Sequence, residues 1–162
     1  MILVAVPEQG GAEALSWLAA LRPLDGVGMI LAHVIDAGPR HGLALGRARA
    51  GGRPLPPHQL RSIGEAERTS ALAVLEEASQ VATAFGARAS LVSVEGDPGP
   101  ELVRLVRERQ PDLLVVGAGR LPGQPGPHSL GRVARFAVDH SERPVLLLRG
   151  ERSAAVGLTR AR

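Results

Sequence analysis

The sequence predicts one α/β domain, in which helices cover both faces of a doubly wound parallel sheet. Three observations indicate this fold class. Short apolar runs alternate with helical patterns, and this alternation favours parallel strands joined by right-handed crossovers. Hydrophobic residues account for 44% of the 162 residues but aromatic residues for only 2%, so the predicted core is aliphatic. Continuous aliphatic runs are typical of strands that are buried on both faces.

The first third of the chain contains two predicted strands, a helix and a long loop. The apolar runs Ile2–Val6 and Gly28–Ile35 are short and continuous, which indicates buried strands. Between them, apolar residues recur at helical spacing over 14–21, and we expect Trp17 of this helix to anchor the core. The stretch Asp36–Pro57 is rich in glycine, proline, arginine and histidine without a period, which predicts a surface loop.

The middle of the chain is predicted to form a long helix, a strand and the start of another helix. The long helix covers Gln59–Phe85, and Gly86 suits the left-handed position that often follows a helix. The third strand is Arg88–Val94. Asp97 is expected to cap the next helix, with Pro98 in its first turn, where a missing N–H costs little.

The last third is predicted to form a strand, a loop, a helix and a final strand. Strand four is Leu113–Val116, and the fourth helix covers Leu130–Asp139 with Ser129 as its cap. Pro144 begins strand five, a position where proline is tolerated. The arginine-containing segment 150–162 has weak periodicity and is expected to be disordered.

The glycines after strand four form the strongest functional signal. Ligands of such sheets bind beyond the carboxyl ends of the strands, where the strand order reverses. Here these ends are the loops after strands one and four. Gly117, Gly119 and Gly131 would let a phosphate approach backbone N–H groups, and Arg120 and Arg132 would add positive charge. Alternatively, Gly117 and Gly119 only turn the chain, and Gly131 packs its helix closely on the sheet.

Composition argues against several other functions. All 19 basic residues are arginine, the net charge is only +3, and the arginines are interspersed with acidic residues. Nucleic-acid binders instead carry clustered basic faces, so no nucleic-acid partner is expected.

Metal binding and membrane insertion are not expected either. The chain has no cysteine, and its histidines lack the spacing of metal ligands. His33, near Asp36, is expected to be a strand-end histidine that is hydrogen-bonded to a neighbour. No apolar run reaches the roughly 20 residues that cross a bilayer. No leader segment is recognised, so a cytoplasmic location is expected.

Several segments, taken in their order and spacing, resemble the universal stress protein family. The likeness covers residues 1–149 as one domain and leaves 150–162 as a tail. The matching segments are Ile2–Val6, Ala32–Ile35, Gly96–Pro98, Pro111–Gly117, the Gly131-x-Val133-Ala134 helix start and Arg143–Leu148. The resemblance implies a five-stranded sheet in the order 3-2-1-4-5, the adenine nucleotide alpha hydrolase-like arrangement. It also implies a homodimer, often paired through the last strand.

The resemblance further implies, for one branch of the family, ATP bound between the ends of strands one and four. That branch has an aspartate after strand one, where this chain has Pro7, which offers neither a carboxylate nor an N–H. It also has a Gly-x-x-Gly, nine residues, Gly-Ser/Thr signature. Here Arg120 replaces the second glycine, Gly131 lies one residue further along, and Arg132 replaces the hydroxyl residue.

Two function hypotheses follow. In the first, the chain is a non-catalytic regulatory module that binds ATP with Mg²⁺, or a related adenine nucleotide. The resemblance places these residues around the nucleotide: Val6, Val34, Gly117, Gly119, Arg120, Gly131 and Arg132. In the second, the cleft is vestigial, and the chain is a dimeric interaction protein with an unknown protein partner. An enzyme on the same fold ranks last, because the chain has no lysine and no clear acid–base pair.

Overall fold

The computed structural model describes residues 1–9, 11–21, 23–38, 42, 56–117 and 130–148. Strands and helices alternate there as predicted. They are β1 (Ile2–Ala5), α1 (Gly11–Leu21), β2 (Gly28–Ile35), α2 (Pro57–Ala84), β3 (Arg88–Glu95), α3 (Pro98–Arg109), β4 (Leu113–Gly117), α4 (Arg132–His140) and β5 (Val145–Leu148). No helix in this part of the chain combines the length and apolarity needed to cross a membrane. The predicted tail 150–162 and most of the predicted loop 36–57 lie outside the described residues.

The sheet has the architecture that the sequence and the resemblance predict. Its five strands are all parallel and lie in the order β3-β2-β1-β4-β5. Ile2 of β1 pairs with Met29 of β2 on one side and with Leu113 of β4 on the other. The chain therefore runs outward from β1 to β3 and then crosses to the other side of β1. This reversal leaves a crevice at the carboxyl ends of β1 and β4, the usual ligand position in such sheets.

Alternate strand residues face two hydrophobic layers, because successive side chains of a strand point to opposite faces. On one face, Leu15 and Leu18 of α1 and Leu75 of α2 pack with Val4 and Leu31. On the other face, α3 and α4 cover the sheet, with the buried residues Leu3, Ile30, Ala32, Leu102, Leu105, Val106, Leu114, Val116, Ala134 and Ala137. The predicted aliphatic core, with helices on both faces, is confirmed.

The prediction that Trp17 anchors the core is wrong, because 48% of its surface is exposed. Leu15 and Leu18 occupy the side of α1 that faces the sheet, where they are 0% and 1% exposed. Each residue advances a helix by about 100°, so Trp17 lies well away from the stripe that these two leucines form. The spacing of apolar residues alone did not separate the two sides of this helix.

The helix ends match the sequence signals only in part. Gly86 follows α2 with a φ of +78°, as predicted. Asp97 occupies the N-cap of α3 with Pro98 at the first helical position, but the Asp97 carboxylate makes no capping hydrogen bond. An N-cap carboxylate accepts from the N–H of the second or third helical residue. The third residue is Pro100, which has no N–H.

Candidate functional site

A cleft of about 1050 Å³ lies at the carboxyl edge of the sheet. Its walls come from the ends of β1, β2, β4 and β5, one side each of α1 and α2, and the amino-terminal parts of α3 and α4. Small-molecule sites are typically clefts of roughly 300–1,000 Å³ that are mostly apolar with a few polar groups. The crevice is therefore large enough for a ligand of nucleotide size.

Two hydrogen bonds fix the backbone where the chain leaves β1. The N–H of Val6 donates to the Ala32 carbonyl oxygen at 2.8 Å, which extends the β1–β2 pairing by one residue. The Val6 carbonyl oxygen lies 2.8 Å from Nδ1 of His33, whose side chain is buried. A carbonyl only accepts hydrogen bonds, so Nδ1 carries the proton and donates it.

This geometry confirms the prediction that His33 is a strand-end histidine bonded to a neighbour. Within the described ranges, no group of three or more histidine, aspartate or glutamate side chains is arranged to hold a metal ion. The His33 hydrogen bond holds Val6, the residue that follows β1, against β2, and it thereby fixes the backbone that lines this part of the cleft.

Gly117 and Gly131 leave open space on the walls of the cleft. A Cβ built on either residue meets no described heavy atom within 4 Å. Neither residue has a positive φ. The interpretation that Gly131 packs α4 closely on the sheet is therefore wrong, because no described atom of the sheet lies within 4 Å of a Cβ built on Gly131. Neither glycine is required by backbone strain, and both expose backbone that a ligand can approach.

The first turn of α4 also faces the cleft. Gly131 occupies the N-cap position and has no side chain to accept a hydrogen bond from the first turn. Ser129, the predicted cap, lies outside the described residues. Arg132, Val133 and Ala134 line the cleft, and the N–H groups of a helix's first turn have no partner within the helix. Together with the helix dipole, such groups favour an anion.

Arg132 forms ion pairs with two acidic residues from other elements. Its Nη1 donates to Oδ2 of Asp97 at 3.2 Å, and its Nη2 lies 3.9 Å from Oδ2 of Asp36. The Arg132 side chain is 70% exposed. Exposed ion pairs contribute only about 0–1 kcal/mol, so an incoming anion can compete for this guanidinium. Arg132 thereby links the end of β2, the start of α3 and the start of α4 at the mouth of the cleft.

The structure brings five of the seven predicted site residues to one place. Val6, Val34, Gly117, Gly131 and Arg132 all line the cleft. Gly119 and Arg120 lie outside the described residues.

Pro7 and Glu8 also line the cleft, beside the β1 exit where the nucleotide-binding branch has its aspartate. Pro7 supplies neither a carboxylate nor an N–H at this position. Glu8 is exposed, and in the sequence it is the acidic residue nearest to the position that Pro7 occupies.

Sequence reasoning missed the wall that helices α1 and α2 contribute. Trp17 of α1 lines the cleft with an exposed indole, and α2 adds Ala66, Glu67, Ser70 and Ala71. A signal was present, because α2 carries small residues at positions 66, 70 and 71, where a helix would otherwise present bulky side chains. Small residues on one side of a helix indicate that something packs closely against it, but they do not identify whether that is another helix or a ligand.

Comparison with known proteins agrees with this geometry. The model of the universal stress protein family matches residues 1–149. The chain belongs to this family. A search of curated proteins found no significant match to the sequence.

Solved structures of universal stress proteins share the fold. UspA from Lactobacillus plantarum superposes with a TM-score of 0.69 and 18% identity, over 91% of this chain and 96% of that one. A family protein from Arabidopsis thaliana, solved with AMP bound, superposes with a TM-score of 0.63 and 21% identity, over 93% of this chain and 92% of that one. The Archaeoglobus fulgidus protein in complex with dAMP superposes with a TM-score of 0.55 and 19% identity, over 90% of this chain and 94% of that one. At these identities the likeness establishes the fold, and it leaves the ligand of this chain to be argued from its own cleft.

Proposed function

We propose that this universal stress protein is a non-catalytic, cytoplasmic regulatory module that binds an adenine nucleotide in the cleft after β1 and β4. One observation carries the proposal: the first turn of α4 lines the cleft beside two glycines, and a Cβ on either would meet no described atom within 4 Å. An anion held there would accept hydrogen bonds from backbone N–H groups and would benefit from the helix dipole.

The two ends of the cleft suit the two ends of a nucleotide. Val6 is buried and Val34 half-buried, and both line the cleft, so they provide an apolar surface for the flat face of a base. Gly117, Gly131 and Arg132 form the polar end, where the phosphate would lie. Gly119 and Arg120 are expected to extend this polar end.

Structural relatives support an adenine nucleotide as the ligand. Among similar structures, one universal stress protein was solved with cAMP, the Arabidopsis thaliana protein with AMP and the Archaeoglobus fulgidus protein with dAMP. These ligands belong to proteins of the same fold that are at most 22% identical to this chain. The proposal transfers the ligand class only because the cleft of this chain offers an anion site of its own.

The non-catalytic role rests on the chemistry available in the cleft. The sequence contains no lysine and no cysteine. His33, which lines the cleft, uses Nδ1 to hold the Val6 carbonyl oxygen. A ligand would therefore act by being bound, and its effect would be a change in assembly or in partner choice.

Thermal denaturation with and without millimolar AMP, ATP with Mg²⁺ and GTP tests nucleotide binding. A ligand at 100 times its dissociation constant stabilises the protein by about 2.7 kcal/mol. For a protein of this size, that free energy raises Tm by roughly 5–11 °C. We expect such a rise with at least one adenine nucleotide and a smaller one with GTP. No rise with any adenine nucleotide would reject the proposal.

The open edge of the sheet favours a second candidate function, a dimeric interaction module. β5 is an edge strand, and each of its four apolar residues, Val145–Leu148, is only half-buried. An exposed apolar edge is a template for pairing with another chain. We expect a homodimer in analytical ultracentrifugation at micromolar concentrations. A monomer up to about a hundred times that concentration would contradict dimerisation through this edge.

A further inference from the structure

The polar end of the cleft carries more acidic than basic groups in its central network. Arg132 is the one cationic side chain among the described residues that line the cleft. Its guanidinium already faces two carboxylates, Asp97 with an N···O distance of 3.2 Å and Asp36 at 3.9 Å. One positive and two negative charges leave this network with a net charge of −1.

Local contacts keep both carboxylates at the mouth of the cleft. Oδ1 of Asp36 accepts the N–H of Gly38 at 2.9 Å, which leaves Oδ2 directed at Arg132. Asp97 makes no capping hydrogen bond to α3, and Pro100 removes one N–H that it would otherwise accept. Asp36 therefore keeps one carboxylate oxygen for Arg132, and no capping hydrogen bond draws the Asp97 carboxylate towards α3.

A ligand with several phosphates meets this network differently from a ligand with one. The first phosphate can accept hydrogen bonds from the start of α4 and share Arg132. Each further phosphate adds negative charge close to Asp36 and Asp97, and the described lining residues offer it no cation besides Arg132. Arg120, which is expected at this end, carries one positive charge, fewer than the two negative charges that ATP adds to those of AMP. Like charges repel over several ångströms at half-exposed positions, where solvent screens them only in part.

We propose that Asp36 and Asp97 make the cleft selective for adenine nucleotides with a single phosphate, such as AMP, over ATP. This inference rests on the proposed nucleotide-binding function. Asp36 and Asp97 are here specificity-determining residues, because they act on the ligand through its charge and through Arg132.

Isothermal titration calorimetry with AMP and with Mg²⁺-free ATP tests the selectivity. We expect the full-length chain to bind AMP at least tenfold more tightly than ATP. In the double variant Asp36→Asn with Asp97→Asn, each amide keeps the size and one oxygen of the acid but loses its charge. We expect the AMP-to-ATP ratio to fall below about threefold, mainly because ATP binds more tightly.

Asp139→Asn is the matched control, because Asp139 is an exposed acidic residue of α4 outside the cleft lining. We expect this variant to keep the wild-type ratio. A second test uses the wild type alone, so it does not depend on the folding of any variant. Raising the salt concentration from 50 to 500 mM shortens the range of charge repulsion, so the preference of the wild type for AMP over ATP should shrink.

The outcomes separate this inference from the function on which it rests. Equal or tighter binding of ATP in the wild type overturns the selectivity but keeps nucleotide binding. A preference for AMP that survives both the double variant and high salt also overturns it, because charge would then not be its cause. Failure of every adenine nucleotide to bind overturns the proposed function itself.

Discussion

Replacing Gly117 with valine is expected to weaken ligand binding in the cleft while leaving the stability of the fold nearly unchanged. A Cβ at residue 117 meets no described atom within 4 Å, and β-branched residues suit a strand. The free energy of unfolding should therefore change by no more than about 0.5 kcal/mol. Because Gly117 lines the cleft, however, we expect the added side chain to take up room there and to displace a phosphate from the start of α4. Loss of one charge-assisted hydrogen bond costs about 1.5–3 kcal/mol, which weakens AMP binding roughly 10- to 100-fold.

Calorimetric titration with AMP measures the binding, and urea denaturation measures the stability of the same sample. Gly28→Val is the matched control, because Gly28 lies at the amino end of β2, where the one described atom within 4 Å of an added Cβ is Cγ of Met1, at 4.0 Å. We expect this control to bind AMP like the wild type. A folded Gly117→Val protein that binds AMP with the wild-type dissociation constant would refute the reasoning.

Three further predictions follow from single side chains. Trp17 is the one tryptophan and lines the cleft, so its fluorescence should change with AMP and saturate at the calorimetric dissociation constant; an unchanged spectrum at saturation would contradict this placement. Leu75→Ala should cost about 2–5 kcal/mol in urea denaturation, because Leu75 is fully buried. Leu72→Ala, on an exposed side of the same helix, should cost less than about 0.5 kcal/mol. Equal losses would contradict the assigned core.

A pH-dependent prediction concerns the start of β4. The N-terminal ammonium lies 2.5 Å from Oδ2 of Asp112 and lowers the pKa of that carboxyl below 3.8 by hydrogen bonding and by charge. The pair therefore stabilises the fold above the unfolded pKa, and this contribution is lost as pH falls through the lowered folded pKa. Between pH 5 and 2, roughly, the wild type should lose more stability than Asp112→Asn. Parallel losses in acid denaturation would argue against the pair.

The fold was predictable from the sequence because its signals are local. Continuous aliphatic runs such as Gly28–Ile35 mark buried strands wherever they lie in the chain, and the structure gives that strand the same bounds. The left-handed Gly86 is equally local, since its backbone conformation depends on the helix end before it. The strand order came from the family resemblance, since local patterns state which segments are strands but not which strands are neighbours.

The finer features of the cleft depend on contacts between distant segments. The pairing of Arg132 with Asp36 and Asp97 requires three element ends to meet at one edge, and no local pattern contains that meeting. The exposure of Trp17 depends on which side of α1 faces the sheet, and the apolar spacing fits both sides. The room beside Gly131 likewise depends on what lies across the cleft, so close packing and open space were equally compatible with the glycine.

Two-dimensional amide NMR of the ¹⁵N-labelled chain titrated with AMP tests the location of the ligand most directly. The account predicts saturable shifts at the backbone amide of Val6, at the apolar end of the cleft, and at those of Gly117 and residues 131–134, at its polar end. An unchanged spectrum at millimolar AMP would contradict it. So would shifts that cluster elsewhere, for example along β3 at the far edge of the sheet.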